Sequence, residues 1–364
     1  MKVDKVIAKN ERQSNIELLR IVSIIMIVMF HIDLYILMTQ LDGGVYANDD
    51  SFQFKLLILE IVMTFGQIGN DIFILITGYF LASKEKVEIS KAVKKILIQM
   101  GFVSVLITIL SFLYYKIVSD GFTGLVGVDI FNSGWWFAGY YIGIIVVAYF
   151  LNPRLQRMSQ KSFLSLLLVL FAFVSTTFLG ALLSGWTEEL RRFVTGVLVY
   201  CLGGYIHKYN PFGKIKGIVL VLSIVVVYAL LCLSYYNSTI EGLNISKVQG
   251  LGFNQSLDTF KVFSIVPFVI AILMFELFRR INMKSNAMIN ALASSSFMVY
   301  ILHDNEFFRS LLGEYNLISL FYEHTGFFIL FWVACSMAVF IIGFLVHIVF
   351  FKMKNKLTKY FLPD

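Results

Sequence analysis

Apolar runs of bilayer-spanning length alternate with short polar segments along almost the whole chain. The runs are Ile16–Met38, Leu59–Leu81, Ile96–Val118, Trp135–Leu151, Phe163–Leu183, Phe193–Ile206, Ile218–Tyr235, Phe260–Phe278, Ile289–Phe308 and Phe327–Phe351. A helix needs about 20 apolar residues to cross the hydrocarbon core, so the pattern predicts an all-α, polytopic membrane protein of about ten transmembrane helices. The sixth run is the shortest. In the second, Gly66-Gln67-Ile68-Gly69-Asn70-Asp71 interrupts the apolar sequence and predicts a kink or local unwinding, tolerable where it faces protein or water. No internal repeat or low-complexity tract is visible, which disfavours the inverted-repeat transporter folds. The polar stretches are too short to bury a core of their own. The chain therefore reads as one integral membrane domain over residues 1–364, with polar end segments at 1–15 and 352–364. The first run has the length of a full span and no small-residue cleavage site after it, so a retained helix is expected rather than a cleaved signal.

Composition strengthens this reading. The chain is 58% hydrophobic and only 15% charged, with 36 Phe and 4 Pro. Soluble domains are nearer half apolar and a quarter charged. A net charge of +7 could point to nucleic acid, but the placement of the charges argues against it. With the N-terminus inside, most of the 30 Lys and Arg fall on inward segments, including Lys84 to Lys95, Arg154 to Lys161, Arg279 to Lys284 and Lys352 to Lys359. Outward loops hold Asp42, Asp49, Asp50, Asp120, Asp129, Glu188 and Glu189 instead. This positive-inside asymmetry predicts both termini in the cytoplasm and a multi-pass protein of the plasma membrane. The three cysteines, Cys201, Cys232 and Cys335, are far apart within apolar runs, so small buried hydrophobes are expected rather than disulfides or a zinc site. No metal and no permanently bound cofactor is expected.

Candidate chemistry centres on Arg20 and His31 in the first run. Eleven residues at about 100° each bring both onto one helix face, about 16 Å apart along the axis. With the N-terminus inside, Arg20 lies near the cytoplasmic surface and His31 near or beyond the midplane. An ionisable residue inside a membrane span is costly and marks a functional site by default. The spacing suits a ligand with an anionic head at the surface and a reactive end deep inside, and acyl-coenzyme A has that shape. Arg20 would clamp phosphate with its planar fork, and Lys94 and Lys95 at the start of the third run could add contacts. The alternative for all three is ordinary snorkelling or topological charge. His31 could serve as a general base toward a hydroxyl that attacks a thioester. Asp71, expected at similar depth, would orient or charge His31 or shape the pocket; a polar pair that locks helix packing is the competing reading. Trp135 and Trp136 could stack on an acceptor sugar or form an interfacial belt. Tyr300 and His303, three apart on one face, could bind an acceptor hydroxyl or mark the outer interface. Arg191, Arg192 and Arg309 are weaker candidates for an anionic acceptor.

Together these residues resemble the acyltransferase-3 family of integral membrane O-acyltransferases. Arg20 and His31 match the family's Arg-x10-His pattern in the first helix. Asp71 through Thr77-Gly78-Tyr79 resembles the second-helix signature. Trp135-Trp136-Phe137 through Leu151-Asn152-Pro153 resembles the fourth, and Ser296 through Tyr300 to His303 the late Ser…Tyr…His segment. Lys94 and Lys95 stand where many members carry arginines. The resemblance implies ten spanning helices and transfer of an acyl group, acetyl by family precedent, from cytoplasmic acyl-CoA to a hydroxyl of a cell-envelope or lipid-linked glycan. Some relatives are implicated in export of surface polysaccharide, so a non-enzymatic exporter or flippase is the alternative. Few intramembrane charges beyond Asp71 and His31 would line an export path. The expected partners are acyl-CoA, a glycan acceptor and membrane lipid.

Overall fold

The computed structural model describes residues 12–40, 55, 58, 62, 64–84, 86–118, 135–175, 187–249, 265–313 and 317–361. The outward acidic loop residues Asp42, Asp49, Asp50, Asp120 and Asp129 lie outside these, as do residues 1–11 and 362–364 of the polar ends; the side chains of Glu188 and Glu189 do too. Among the described residues all regular structure is helical. The helices are α1 (Ser14–Gln40), α2 (Phe65–Leu81), α3 (Ile89–Val118), α4 (Trp136–Arg157), α5 (Gln160–Ser175), α6 (Thr187–Tyr209), α7 (Gly217–Gln249), α8 (Ile265–Arg279), α9 (Ala287–Ser294), α10 (Ser296–His303), α11 (Glu306–Gly313), α12 (Leu317–Glu323) and α13 (Thr325–Phe361). Among the described residues four stretches are long and apolar enough to cross a membrane: Ser14–Tyr35, Ile89–Ile117, Trp136–Arg157 and Thr325–Lys356. Three shorter apolar stretches, Gln160–Val174, Gly217–Leu233 and Ala287–His303, accompany them. Large apolar side chains on α3, α5, α7 and α13 remain exposed, as a lipid-facing surface requires.

The central helix is α1, which is 61% buried over its apolar window where the other three long spans are 28–39% buried. It packs against α2, α8, α9, α10 and α13. A Cβ on Gly66 would strike the Phe30 ring, and one on Gly69 would strike Ile27 and the Ser23 carbonyl. The two helices therefore run antiparallel in close contact. This corrects the expected unwinding at 66–71. These residues lie inside continuous helix, and their glycines admit the neighbouring helix instead. At the other end of α2, a Cβ on Gly78 would fall 2.1 Å from the Tyr200 carbonyl oxygen, so α2 and α6 meet backbone to backbone. Asn152 secures that corner. Its amide donates to the Leu81 and Lys84 carbonyls at 2.8 and 3.2 Å, and its oxygen accepts the Tyr200 hydroxyl at 2.7 Å.

The ninth apolar run is not one helix. It breaks at Ser295 between α9 and α10 and ends at His303. The cause is local. Ser294, Ser295 and Ser296 turn their hydroxyls onto the carbonyls of Ala291, Leu292 and Ala293 at 2.6, 2.6 and 2.8 Å, competing with the helical ladder. Beyond His303, Asn305 closes one helix on the Leu302 carbonyl and caps the next by accepting the Phe308 N–H at 3.0 Å. These turns aim His303 and Asp304 inward, where both are buried.

Candidate active site

His31 stands on α1 against the end of α10. Its Nδ1 lies 2.9 Å from Nε2 of His303, and the two ring centroids are 5.1 Å apart. Nδ1 of His303 in turn lies 2.7 Å from the Val299 carbonyl. The other nitrogen of His31, Nε2, faces Oδ2 of Asp304 at 4.0 Å. Oδ1 of Asp304 accepts the Tyr35 hydroxyl at 2.5 Å and the Arg309 guanidinium at 2.7 Å. Tyr35 stacks on His31 with rings nearly parallel, and the Arg309 guanidinium lies over the Tyr35 ring at 4.8 Å from its centroid. Five polar side chains from α1, α10, α11 and the intervening turn thus form one cluster, buried except for the half-buried Arg309. Asp304 is fully buried, and a buried carboxylate persists only when paired in this way.

A cavity of about 320 Å³ leads toward this cluster from the Arg20 end of α1. Arg12, Arg20 and Lys95 line one end of it; Ile24 and Ile27 continue the Arg20 face of α1, and Tyr300 and Phe137 line it as well. Tyr300 touches the His303 ring edge-on at 6.1 Å between centroids. Its hydroxyl accepts the backbone N–H of Phe137 at 3.2 Å, which fixes the first turn of α4 against α10. A second space of about 280 Å³ adjoins the first across Arg20, Thr77 and Tyr141. Arg20 itself is ion-paired to Glu17 at 3.1 Å, one turn back on the same helix. The charges of Arg12, Arg20 and Lys354 all act on Lys95, so this end of the cavity is a basic cluster.

The structure brings together only part of what the sequence offered. Arg20 and Lys95 share the cavity; Lys94 is exposed and lines neither space. Asp71 is buried, with Oδ2 unpartnered, but no hydrogen bond or ion pair joins it to His31. The register of Gly66 on Phe30 and Gly69 on Ile27 places Asp71 about 9 Å from His31 along α1, on the Arg20 side. Its charge acts on Tyr140 of α4 instead. The carboxylate facing His31 is Asp304, which sequence reasoning missed. The signal was present in the His303-Asp304 dipeptide at the end of an apolar run, with Arg309 five residues on. Trp135 is buried, and its indole N–H donates to the Ile301 carbonyl at 3.0 Å, so it is a strut against α10 rather than an open platform. Trp136 is 37% exposed. His303 is not at an interface: it is the hydrogen-bond partner of His31. Ser133 and Gly134, before the fourth helix, lie outside the described residues.

No curated protein and no solved structure matches the chain. A family model does: the one described as the acyltransferase domain of the acyltransferase-3 type aligns with residues 13–361. That match takes in α1 with Arg20 and His31, α10 with His303, and nearly everything between and beyond them, and the chain belongs to the acyltransferase-3 family of membrane acyltransferases.

Proposed function

We propose that the protein is a plasma-membrane O-acyltransferase that moves an acetyl group from cytoplasmic acetyl-CoA to a hydroxyl of a cell-envelope or lipid-linked glycan. The observation that carries this reading is the cavity that begins among Arg12, Arg20 and Lys95 and is also lined by Tyr300, one ring away from His303 and His31. Its basic end suits phosphates, which arginine binds through paired, charge-assisted hydrogen bonds. Glu17 holds the Arg20 guanidinium in place while leaving it in the cavity wall. The apolar walls suit the uncharged pantetheine arm, and that arm can span the distance from Arg20 to His31.

In the reaction His31 accepts the proton of the acceptor hydroxyl as the oxygen attacks the thioester carbonyl. The C–O bond forms, the C–S bond breaks, and the imidazolium returns its proton to the departing coenzyme A sulfur. Asp304, across 4.0 Å from His31 Nε2, favours the imidazolium that exists between the two proton transfers. Direct transfer needs no covalent enzyme intermediate.

The test is delivery of radiolabelled acetyl from acetyl-CoA to the envelope glycan fraction of membrane vesicles, counted as acetate released by mild alkali. Wild type transfers label, and His31→Ala, at equal abundance in the membrane, does not. Normal labelling in His31→Ala would sink the reading of His31. Absence of label in wild type, with glycan missing from the surface of a deletion strain, would favour an exporter.

A further inference from the structure

We infer that His303 is a positioning residue that holds His31 in the tautomer with its proton on Nδ1 and its lone pair on Nε2. The inference deepens the proposed function and rests on His31 acting as the base. It follows from a chain of donors and acceptors that can be filled in only one way with neutral rings. The Val299 carbonyl only accepts, so the His303 nitrogen 2.7 Å from it, Nδ1, carries a proton. A neutral imidazole has one N–H, so Nε2 of His303 carries a lone pair. That lone pair faces Nδ1 of His31 at 2.9 Å, and two lone pairs cannot face each other there, so Nδ1 of His31 carries the proton. Nε2 of His31 is left bare.

The surroundings agree with neutral rings. The charge of Asp304 is matched by Arg309, which with the Tyr35 hydroxyl engages Oδ1, while Oδ2 has no hydrogen-bond partner and faces Nε2 of His31 at 4.0 Å. Among the described residues no ion pair joins a carboxylate to His303, so a cation there would be buried without a counter-charge in contact. In the opposite tautomer, His31 Nε2–H would point across 4.0 Å to Asp304, too far for a hydrogen bond, while two lone pairs would meet at 2.9 Å. Asp304 thus stands close enough to stabilise a proton that arrives on Nε2, but not close enough to hold one there beforehand. During the reaction the protons on the two Nδ1 atoms stay where they are, and only Nε2 of His31 gains and loses one.

The experiment compares His303→Gln and His303→Leu in the full chain, by the rate of radiolabelled acetyl transfer and the KM for acetyl-CoA in membrane vesicles. The Gln side-chain oxygen can accept from Nδ1–H of His31; Leu cannot. We expect kcat to fall less than about tenfold for Gln and more than about a hundredfold for Leu, with KM unchanged in both, because a misplaced tautomer removes the base without touching the donor. Equal losses in the two variants, or a greater loss for Gln, would overturn the inference. If Leu fails to fold, nitrogen NMR of histidine-labelled wild type decides, with the His31 signals identified by their absence in His31→Ala. At neutral pH the inference requires Nδ1 protonated and Nε2 unprotonated; the reverse overturns it. Activity in His31→Ala would sink the base reading by itself, whichever tautomer the spectrum records.

Discussion

Asp304→Asn isolates one electrostatic contribution. The substitution keeps shape and keeps a side-chain oxygen that can still accept from Tyr35 and Arg309, the two partners of Oδ1 at 2.5 and 2.7 Å. What it removes is the negative charge 4.0 Å from Nε2 of His31. Two unit charges at that distance interact by about 4 kcal/mol at an effective dielectric constant of about 20, which is about a thousandfold in rate. Arg309 sits on the same carboxylate and cancels part of its field, so the expected loss is nearer 2.7 kcal/mol, or about a hundredfold in kcat. Arg309 is 32% exposed and can turn to water once its counter-ion is gone, so the fold survives. The assay is the initial rate of acetyl transfer in vesicles at saturating acetyl-CoA, with KM measured alongside. A kcat within threefold of wild type would refute the claim that Asp304 stabilises the imidazolium. A raised KM with unchanged kcat would refute it too, since that pattern marks loss of binding rather than of transition-state stabilisation.

Other expectations follow from the same geometry. Arg20→Ala removes charge-assisted contacts worth about 1.5–3 kcal/mol, so calorimetry on purified protein should show acetyl-CoA binding weakened by about 10- to 100-fold. Lys95→Ala, which alters the cavity wall, should weaken binding more than Lys94→Ala, whose side chain lines neither space; the same titration checks it. Gly78→Ala puts a methyl 2.1 Å from the Tyr200 carbonyl oxygen, well inside the 3.4 Å of ordinary contact, so α2 and α6 must part by about an ångström. Overpacking of this kind costs about 1–3 kcal/mol and should lower the thermal unfolding temperature in detergent. Ala293→Trp fills the cavity beside Ser294 and Ser296 and should abolish acetyl transfer while His31, His303 and Asp304 keep their contacts.

Some of this architecture is legible in the sequence. Long apolar runs have few ways to satisfy their backbone in a membrane, so helices are forced, and the 3.6-residue period places Arg20, Ile24, Ile27 and His31 on one stripe. The cavity follows the first three of these, and the fourth meets the buried polar cluster beyond Tyr300. The break at Ser295 was less visible, because a run of three serines in an apolar segment is tolerated in a membrane helix when each hydroxyl finds a carbonyl. Here each does, and the ladder still loses register at one residue.

The mistaken partner for His31 shows why the remainder was hidden. Depth can be counted along a helix, at about 1.5 Å per residue, and depth alone made Asp71 a fair match for His31. Contact also requires azimuth, meaning which neighbouring helix each side chain faces, and that is decided by packing between segments far apart in the chain. Gly66 and Gly69 set the α1–α2 register so that Asp71 slides toward the Arg20 end. The serine break and the Asn305 cap then turn His303 and Asp304, 272 and 273 residues after His31, into the place Asp71 would have filled. What sets Asp304 apart is its place beside His31 and the counter-charge it carries. Each carboxylate keeps one buried oxygen without a hydrogen-bond partner, but Asp304 is paired to Arg309 through Oδ1 and turns Oδ2 toward His31, whereas among the described residues no ion pair joins a cation to Asp71. A buried carboxylate that already neutralises one cation is compensated where it stands, and that compensation lets Asp304 lie beside His31 in the interior of the bundle.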